Sequence, residues 1–529
     1  MRRPLLLNGF MATGKSTVGA GYAHPTGRAF IDLDQVVEAE TGSSVESLFA
    51  SQGEAKFRAL ERAYLTRILD EAGRAAQPPV IAVGGGALIA RDLRLRALDE
   101  CVVVTLEGSA AELTRRALAQ GARPLLAGPN PELRVTELLA LRATSYAEAH
   151  ARVSCEAPVE SVASNVRAVW ERDEIAVAAG DASYGVQVGG GFAAARIGAL
   201  VARSPVCVLV SDRTVAALHA ASIEQALSAA GARLIRFDFE PGEAHKNIAS
   251  VEGVWRAALA GSADRTATFI ALGGGVVTDM TGFAASTYMR GVRWIGIPTT
   301  LLAMVDASVG GKTGVDLESA KNAVGAFWQP NAVLCDVQHL STEPARGFVS
   351  ALAEVVKTAL VGDPELFSLL ENNAERIARR DLELTAEIVR RSVRVKARIV
   401  SVDARESGLR AVLNLGHTVG HALEAQAGYT ALSHGEAVSL GLVAALRLGE
   451  ALGRTPRDLS ERTLALLRRL GLPASLLGQP LAEAANLIGH DKKRAGSSVR
   501  FVFARGLGDV ETQPIPLAEL RTRVLALAE

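Results

Sequence analysis

Short apolar runs punctuate the first third of the chain at Pro4–Leu7, Val80–Val83 and Cys101–Leu106, separated by Ala-, Leu-, Glu- and Arg-rich stretches. Runs this short, alternating with helix-length segments, predict strands of a parallel sheet covered on both faces. Val159–Trp170 reads as a closing helix, Glu171-Arg172-Asp173-Glu174 as a charged junction, and strands resume at Ile175–Ala178 and Tyr184–Val188. A second series follows at Val206–Ser211, Arg233–Phe237, Thr268–Leu272 and Trp294–Ile297. Past residue 340 the apolar positions fall at helical spacing, as in Leu382–Val400 and Ala437–Leu452, and predict a mainly helical region. The expected division is an α/β domain over 1–172, a Rossmann-like α/β domain over 173–335 and a helical domain over 336–529. No Gly/Ser-rich or Pro-rich stretch separates the first two, which argues against a freely swinging linker.

Composition narrows the partners. The 57 basic and 57 acidic residues cancel, so no overall field favours nucleic acid or an anionic membrane, and small metabolites are expected instead. The cysteines, Cys101, Cys155, Cys207 and Cys335, form no CxxC pair, which suits reduced thiols in the cytoplasm. Leu5–Leu7 after two arginines is too short for a signal-peptide core, and no uninterrupted apolar run is long enough to span a bilayer.

Two sets of chemistry stand out. Gly9-Phe10-Met11-Ala12-Thr13-Gly14-Lys15-Ser16-Thr17 follows a strand, opens a helix and fulfils the pattern of a phosphate-binding loop. Backbone N–H groups would converge on phosphate oxygens, Lys15 would meet the β/γ-phosphates and Ser16 would serve magnesium. Alternation along a strand would put Asp32 and Asp34 on one face, one for magnesium and one for a substrate hydroxyl. Pro25 and Gly27 should break the helix after the loop near His24, since proline inside a helix costs about 3 kcal/mol.

Downstream, Arg58 in Lys56-Phe57-Arg58-Ala59-Leu60-Glu61, the triplet Gly84-Gly85-Gly86, Arg123-Pro124-Leu125-Leu126, and Arg142 with Tyr146 complete an ordered set. Over residues 1–168 this set closely resembles shikimate kinase. The resemblance implies that Asp34, Arg58, Arg142 and Gly84, Gly85 and Gly86 hold shikimate, with Asp34 also catalytic. Gly9, Gly14, Lys15, Ser16 and Thr17 would bind ATP, and Ser16 with Asp32 the magnesium. Arg123 would close over the transferring phosphoryl group and neutralise its charge.

The second set gathers three histidines, His417, His421 and His434. His417 and His421 share one helix face and, by spacing alone, read as a metal pair or as core and capping residues. The surrounding motifs are Gly273-Gly274-Gly275-Val276-Val277-Thr278-Asp279, Tyr288-Met289-Arg290-Gly291, Pro298-Thr299-Thr300 through Asp306, Gly310-Gly311-Lys312-Thr313-Gly314, Lys321-Asn322 and Ala353-Glu354-Val355-Val356-Lys357. Over 174–529 their order resembles 3-dehydroquinate synthase. That resemblance implies metal ligands Glu354, His417 and His434, holding zinc or cobalt, and makes His421 a catalytic residue on the substrate side. It implies NAD bound by Asp212, Glu243, Lys246, Gly274, Gly275, Asp279, Thr299, Thr300, Lys312 and Lys321. Arg290, Asp306, Asn322, Lys492 and Lys493 would contact substrate, and Lys312, Lys357, Lys396 and Arg410 would take part in catalysis. The family oxidises a hydroxyl with NAD, eliminates phosphate, reduces the ketone again, opens the ring and closes a carbocycle. It also implies a homodimer formed through this half. Thr278 stands where the family usually has glycine, which predicts weaker retention of NAD.

The combined expectation is a bifunctional enzyme with an ATP- and magnesium-dependent kinase followed by an NAD- and metal-dependent synthase. Two alternatives are a related sugar-phosphate cyclase in the second half and a nucleotide-binding regulatory module in the first.

Overall fold

The computed structural model describes residues 2–119, 126, 129–318, 320–406, 408–428, 431–488, 494–495 and 498–528. It divides into two compact units, residues 1–187 and 188–529.

The first unit is built on a parallel sheet of β1 (Leu5–Gly9), β2 (Phe30–Asp32), β3 (Val80–Ala82), β4 (Val102–Glu107) and β5 (Ala151–Ser154), in the order β2-β3-β1-β4-β5. Leu5 and Leu7 enter one core with Val102 and Val104, while Leu6 enters the other with Ile81 and Val103. Both faces of each central strand are therefore covered, which is why these strands read as continuous apolar runs. The helix after the phosphate-binding loop, Lys15–Ala23, stops where Pro25 demands, passing into a 3-10 turn over His24–Thr26 and ending at Gly27. A long helix, Val45–Ala72, is kinked at Gly53. Its second half buries Phe57, Glu61, Leu65 and Ile68, a helical stripe that contains one carboxylate. The antiparallel pair β6 (Ile175–Val177) and β7 (Tyr184–Gly189) follows the closing helix Val159–Arg172.

In the second unit β8 (Val206–Asp212), β9 (Arg233–Phe239), β10 (Thr268–Gly273), β11 (Arg293–Pro298) and β14 (Ala332–Asp336) run parallel in the order β14-β11-β10-β8-β9. Val208, Val210, Phe269 and Ala271 fill one face, and Leu209, Ile270, Leu272 and Ile297 the other. The strand order reverses between β8 and β10, so Asp212 and Gly273 end at a topological switch point, the usual crevice for a dinucleotide. A hairpin of β12 (Lys312–Leu317) and β13 (Ala320–Phe327) leaves this region.

The remaining chain is mostly helical, with Ala345–Gly362, Leu382–Val402, His417–Gln426 and His434–Ala451 surrounding the candidate metal group. The helix at His434 can approach its neighbour because Gly435 has no side chain: a Cβ there would sit 1.9 Å from the Ser350 carbonyl oxygen. One departure from helicity is the antiparallel sheet of β15 (Arg494–Ala495), β16 (Ser498–Gly506) and β17 (Asp509–Pro516). The run Val499 to Ala504 is rich in β-branched and aromatic residues and is followed by Gly506 and Gly508, a hairpin signal hidden beside long helices. No helix among the described residues is long and apolar enough to cross a membrane.

Candidate active sites

In the first unit the loop after β1 feeds its N–H groups into the start of the helix at Lys15, where the helix dipole favours an anion. Lys15 Nζ donates to the carbonyl oxygens of Gly9 and Phe10 at 2.9 and 2.8 Å, and Ser16 and Thr17 are exposed at the helix mouth. Ser16 Oγ donates to Asp32 Oδ2 at 2.6 Å. Asp32 and Asp34 are adjacent in function but not by strand alternation. The strand ends at Asp32, which caps the helix Leu33–Thr41 by accepting from the Asp34 N–H at 3.1 Å. Burial raises the Asp34 carboxyl from its ordinary value, and the negative charge of Asp32 adds to the shift.

The residues expected to hold the substrate anion gather around the glycine triplet. Arg58 donates to Glu61 Oε2 at 2.6 Å and to Glu54 at 3.2 Å, while Arg142 Nη1 and the Tyr146 hydroxyl both donate to the Gly85 carbonyl, at 3.1 and 2.6 Å. Gly86 lets the Arg58 guanidinium close against the backbone, since a Cβ would lie 2.4 Å from its central carbon and displace it. Gly84 stands against Asp34 and Glu61 in the same way. Glu61 was not among the residues expected; its signal is its position one turn after Arg58. Arg123 lies outside the described residues.

In the second unit the β8–β10 switch point carries the candidate dinucleotide residues. Asp212 caps the helix Arg213–Ala229 by accepting from the Val215 N–H at 2.9 Å, and Gly274 caps the helix Gly275–Thr287. Thr299 donates its N–H to the Gly273 carbonyl, Thr300 lies beside Gly274, and the buried Thr299 hydroxyl makes no hydrogen bond among the described residues. Thr278 is buried in the helix and its hydroxyl donates to Gly275 O at 3.0 Å. Lys246, only 5 % exposed, donates to Asp279 at 2.7 Å and to Asn322 at 2.6 Å. Burial raises the Asp279 carboxyl to about 6 in spite of that lysine. Lys321 reaches Glu243 at 3.7 Å and Glu424 at 3.0 Å.

Glu354, His417 and His434 come from three different helices and bring one ligand atom each within 4.8 Å of one another. Nε2 of His417 and Nε2 of His434 lie 3.4 and 3.5 Å from Glu354 Oε1, a buried oxygen that makes no hydrogen bond among the described residues. His417 Nδ1 faces the Leu415 carbonyl at 3.2 Å, and His434 Nδ1 faces the Glu424 carboxylate at 3.1 Å. With Nδ1 protonated in each ring, both Nε2 atoms carry lone pairs that a cation shared with Glu354 Oε1 would bind. The separations match two ligands about 2.0–2.1 Å from a tetrahedral ion, and two nitrogens with one carboxylate suit zinc with an open position. The expected ligand set therefore fits a divalent metal. His421 stays beside it, ring centroids 5.0 Å from His417 and 5.9 Å from His434.

Cations line the neighbouring space. Lys357 pairs with Glu354, Lys396 with Asp306, and Lys312 with Glu406. Burial lowers Lys396 to about 8, with Asp306 opposing and Arg410 reinforcing the shift. Arg410 is buried and donates to the carbonyls of Gly310 and Ala404 at 3.3 and 3.0 Å. Lys357, Lys396 and Arg410 are buried cations, and an anionic substrate among them would add to the compensation that Glu354 and Asp306 supply. Arg290 stands apart: it is exposed on the turn after Thr287, in a left-handed backbone conformation, and no hydrogen bond or ion pair joins it to the cluster among the described residues. Lys492 and Lys493 lie outside the described residues. Glu406 and Glu424 were not expected as participants, although Glu424 shares the helix face of His417 and His421.

Comparison with known proteins finds relatives of both halves of the chain. Family profiles match 3-dehydroquinate synthase N-terminal over residues 236–350, 3-dehydroquinate synthase C-terminal over 351–494, and shikimate kinase over 11–170. A 3-dehydroquinate synthase of Citrifermentans bemidjiense is 43 % identical over 339 residues, covering 64 % of this chain and 93 % of that protein. ValA, the 2-epi-5-epi-valiolone synthase of Streptomyces hygroscopicus solved with NAD+ and Zn2+, is 29 % identical with a TM-score of 0.60, covering 65 % of this chain and 96 % of the other. The shikimate kinase of Acinetobacter baumannii, solved with shikimate, is 30 % identical over 32 % of this chain and 92 % of its own, with a TM-score of 0.30.

Proposed function

The chain belongs to the 3-dehydroquinate synthase family through its second unit and carries a shikimate kinase domain ahead of it, and we propose the following division of labour within this bifunctional shikimate-pathway enzyme. The first unit phosphorylates shikimate with ATP and magnesium. Lys15 and the N–H groups at the helix start hold the nucleotide phosphates, Ser16 and Asp32 the magnesium, and Arg58 and Arg142 the shikimate carboxylate in planar forks that lysine cannot reproduce. Asp34 takes the hydroxyl proton as the bond to phosphorus forms, and Arg123 offsets charge on the transferring group.

The second unit converts 3-deoxy-D-arabino-heptulosonate 7-phosphate into 3-dehydroquinate and phosphate. Asp212, Glu243, Lys246, Gly274, Gly275, Asp279, Thr299, Thr300, Lys312 and Lys321 would bind NAD, which would supply a hydride acceptor and donor there. Glu354, His417 and His434 hold a divalent metal that polarises the substrate oxygen at the reacting carbon. Lys357, Lys396 and Arg410 hold the substrate anions, Asp306 and Asn322 contact the substrate, Lys492 and Lys493 bind its phosphate, and His421 moves protons beside the metal group. The observation that carries this reading is the pair of Nε2 atoms facing the unbonded Glu354 Oε1, next to a dinucleotide switch point and a buried cation cluster.

We take the units as a kinase domain over 1–172, a dinucleotide domain over 173–335 and a metal- and substrate-binding domain over 336–529. A homodimer formed through the synthase half and a cytoplasmic location complete the proposal. The four buried, unpaired cysteines support a reducing compartment, and light scattering on the purified chain tests the dimer.

The reading is tested by following ATP-dependent consumption of shikimate and, separately, NAD- and metal-dependent phosphate release from the seven-carbon keto-acid phosphate. Turnover of sedoheptulose 7-phosphate in its place would favour a cyclase of the ValA kind, which the higher identity to 3-dehydroquinate synthases argues against. ATP binding without transfer to shikimate would make the first unit a regulatory module.

A further inference from the structure

Glu424 has no part in the roles assigned above, yet it is 5 % exposed and completely engaged. Its Oε2 faces His434 Nδ1 at 3.1 Å, and its Oε1 accepts from Lys321 Nζ at 3.0 Å. Lys321 in turn reaches Glu243, so a continuous chain of charged groups runs from the dinucleotide segment to the metal-facing imidazole: Glu243, Lys321, Glu424, His434. His417, His421 and Glu424 stand at positions i, i+4 and i+7 of the helix His417–Gln426, so one face carries a ligand and, by this reading, the group that orients another.

We infer that Glu424 is a positioning residue for His434: its carboxylate accepts the Nδ1 proton, fixes the tautomer and ring orientation, and aims Nε2 at the ion held with Glu354 and His417. The inference rests on the metal-site reading above. A second ion between His421, Glu424 and His434 is the competing geometry, since those side chains also approach within 4.8 Å. Two facts disfavour it. The Lys321 ammonium already occupies one Glu424 oxygen, and a His434 whose Nε2 binds the first ion could bind a second through Nδ1 only by losing its ring proton. Carboxylate partners of this kind raise ligand basicity, and their loss typically weakens metal affinity about 10- to 100-fold.

The test uses the full-length chain, stripped with a chelator and reloaded with Zn2+ or Co2+. Zinc affinity is read by competition with a chromophoric chelator, ligand geometry by the visible absorption of bound Co2+, and folding by circular dichroism and ATP-dependent shikimate phosphorylation. Glu424→Ala should bind zinc roughly 10- to 100-fold more weakly and shift the Co2+ bands, while Glu424→Gln, whose amide oxygen can still accept from Nδ1, should fall between it and the wild type. Should the alanine variant misfold, the glutamine variant decides. Wild-type affinity and an unchanged Co2+ spectrum in whichever variant folds overturn the role of Glu424. A second equivalent of Co2+ bound by the wild type and lost with Glu424→Gln overturns it in favour of a second ion. A wild-type chain that takes up no stoichiometric metal refutes the metal-site reading itself.

Discussion

Ser16 donates its hydroxyl to Asp32 across 2.6 Å, so the phosphate-binding loop and the end of the neighbouring strand already present two oxygens to the same point. Magnesium would exchange this hydrogen bond for coordination by both groups. Asp32→Asn is therefore expected to lower phosphoryl transfer by about 10²- to 10³-fold, comparable to loss of one electrostatic stabiliser of a transition state. A magnesium titration of the ATP-dependent reaction checks this; an unchanged rate at every magnesium concentration would remove Asp32 from the site.

Glu61 is buried beneath Arg58 and accepts from it at 2.6 Å. Burial raises the Glu61 carboxyl and Arg58 opposes the rise, so the pair depends on each other for its charge. Replacing Glu61 with Gln should leave the guanidinium less constrained and raise KM for shikimate about tenfold, near 1.4 kcal/mol, with a smaller effect on kcat. Steady-state kinetics at saturating ATP distinguish this from a fall in kcat at constant KM, which would assign Glu61 to chemistry.

Stability should fall as the pH rises through the titration of Glu343. This carboxyl is buried and accepts the Leu301 N–H at 3.0 Å, and burial raises it to about 7. The folded state thus holds the proton more tightly than the unfolded chain, whose glutamates titrate near 4.3. The stabilisation is complete below the unfolded value and is lost progressively up to pH 7, by about 2–3 kcal/mol. Glu343→Gln should flatten this segment of the thermal stability profile between pH 5 and 8. An equally steep loss in the variant would place the titrating group elsewhere.

The end of the kinase unit is tied down by its continuation. Arg3 pairs with Asp173 at 2.8 Å and donates to the Glu174 carbonyl at 2.6 Å, and the buried Glu148 pairs with Arg94 at 2.7 Å and accepts the Gly180 N–H at 3.2 Å. A fragment ending at residue 172 loses two partners of Arg3, its ion pair among them, and one donor to Glu148. It should melt below a fragment ending at 187, by an amount on the order of 2–4 kcal/mol for buried charges left unpaired. Equal melting curves would show that residues 173–187 add nothing to the kinase fold.

Much of this was readable in advance because the signals were local. Apolar runs marked the strands of both parallel sheets, Pro25 marked the end of its helix, and the glycine loop marked the phosphate site. The face shared by Asp32 and Asp34 was misread because strand alternation stops where Asp32 becomes a helix cap, a change visible only once the hydrogen bond to Asp34 is seen. The histidine spacing suggested His417 and His421 as a pair, yet the structure turns His417 toward Glu354 and brings in His434, since helix spacing says nothing about which neighbouring helix supplies the third group. Glu61, Glu406 and Glu424 escaped notice because a lone glutamate on a helix or loop looks like solvated surface until the fold buries it against a cation.

The central claim is that two independent active sites share one chain, and the most direct measurement is a paired assay of single substitutions. Lys15→Ala should abolish ATP-dependent phosphorylation of shikimate and leave phosphate release by the synthase within about twofold of wild type. His417→Ala should do the reverse, losing synthase turnover while the kinase proceeds. Loss of both activities from either substitution, in a chain that remains folded, would contradict the account.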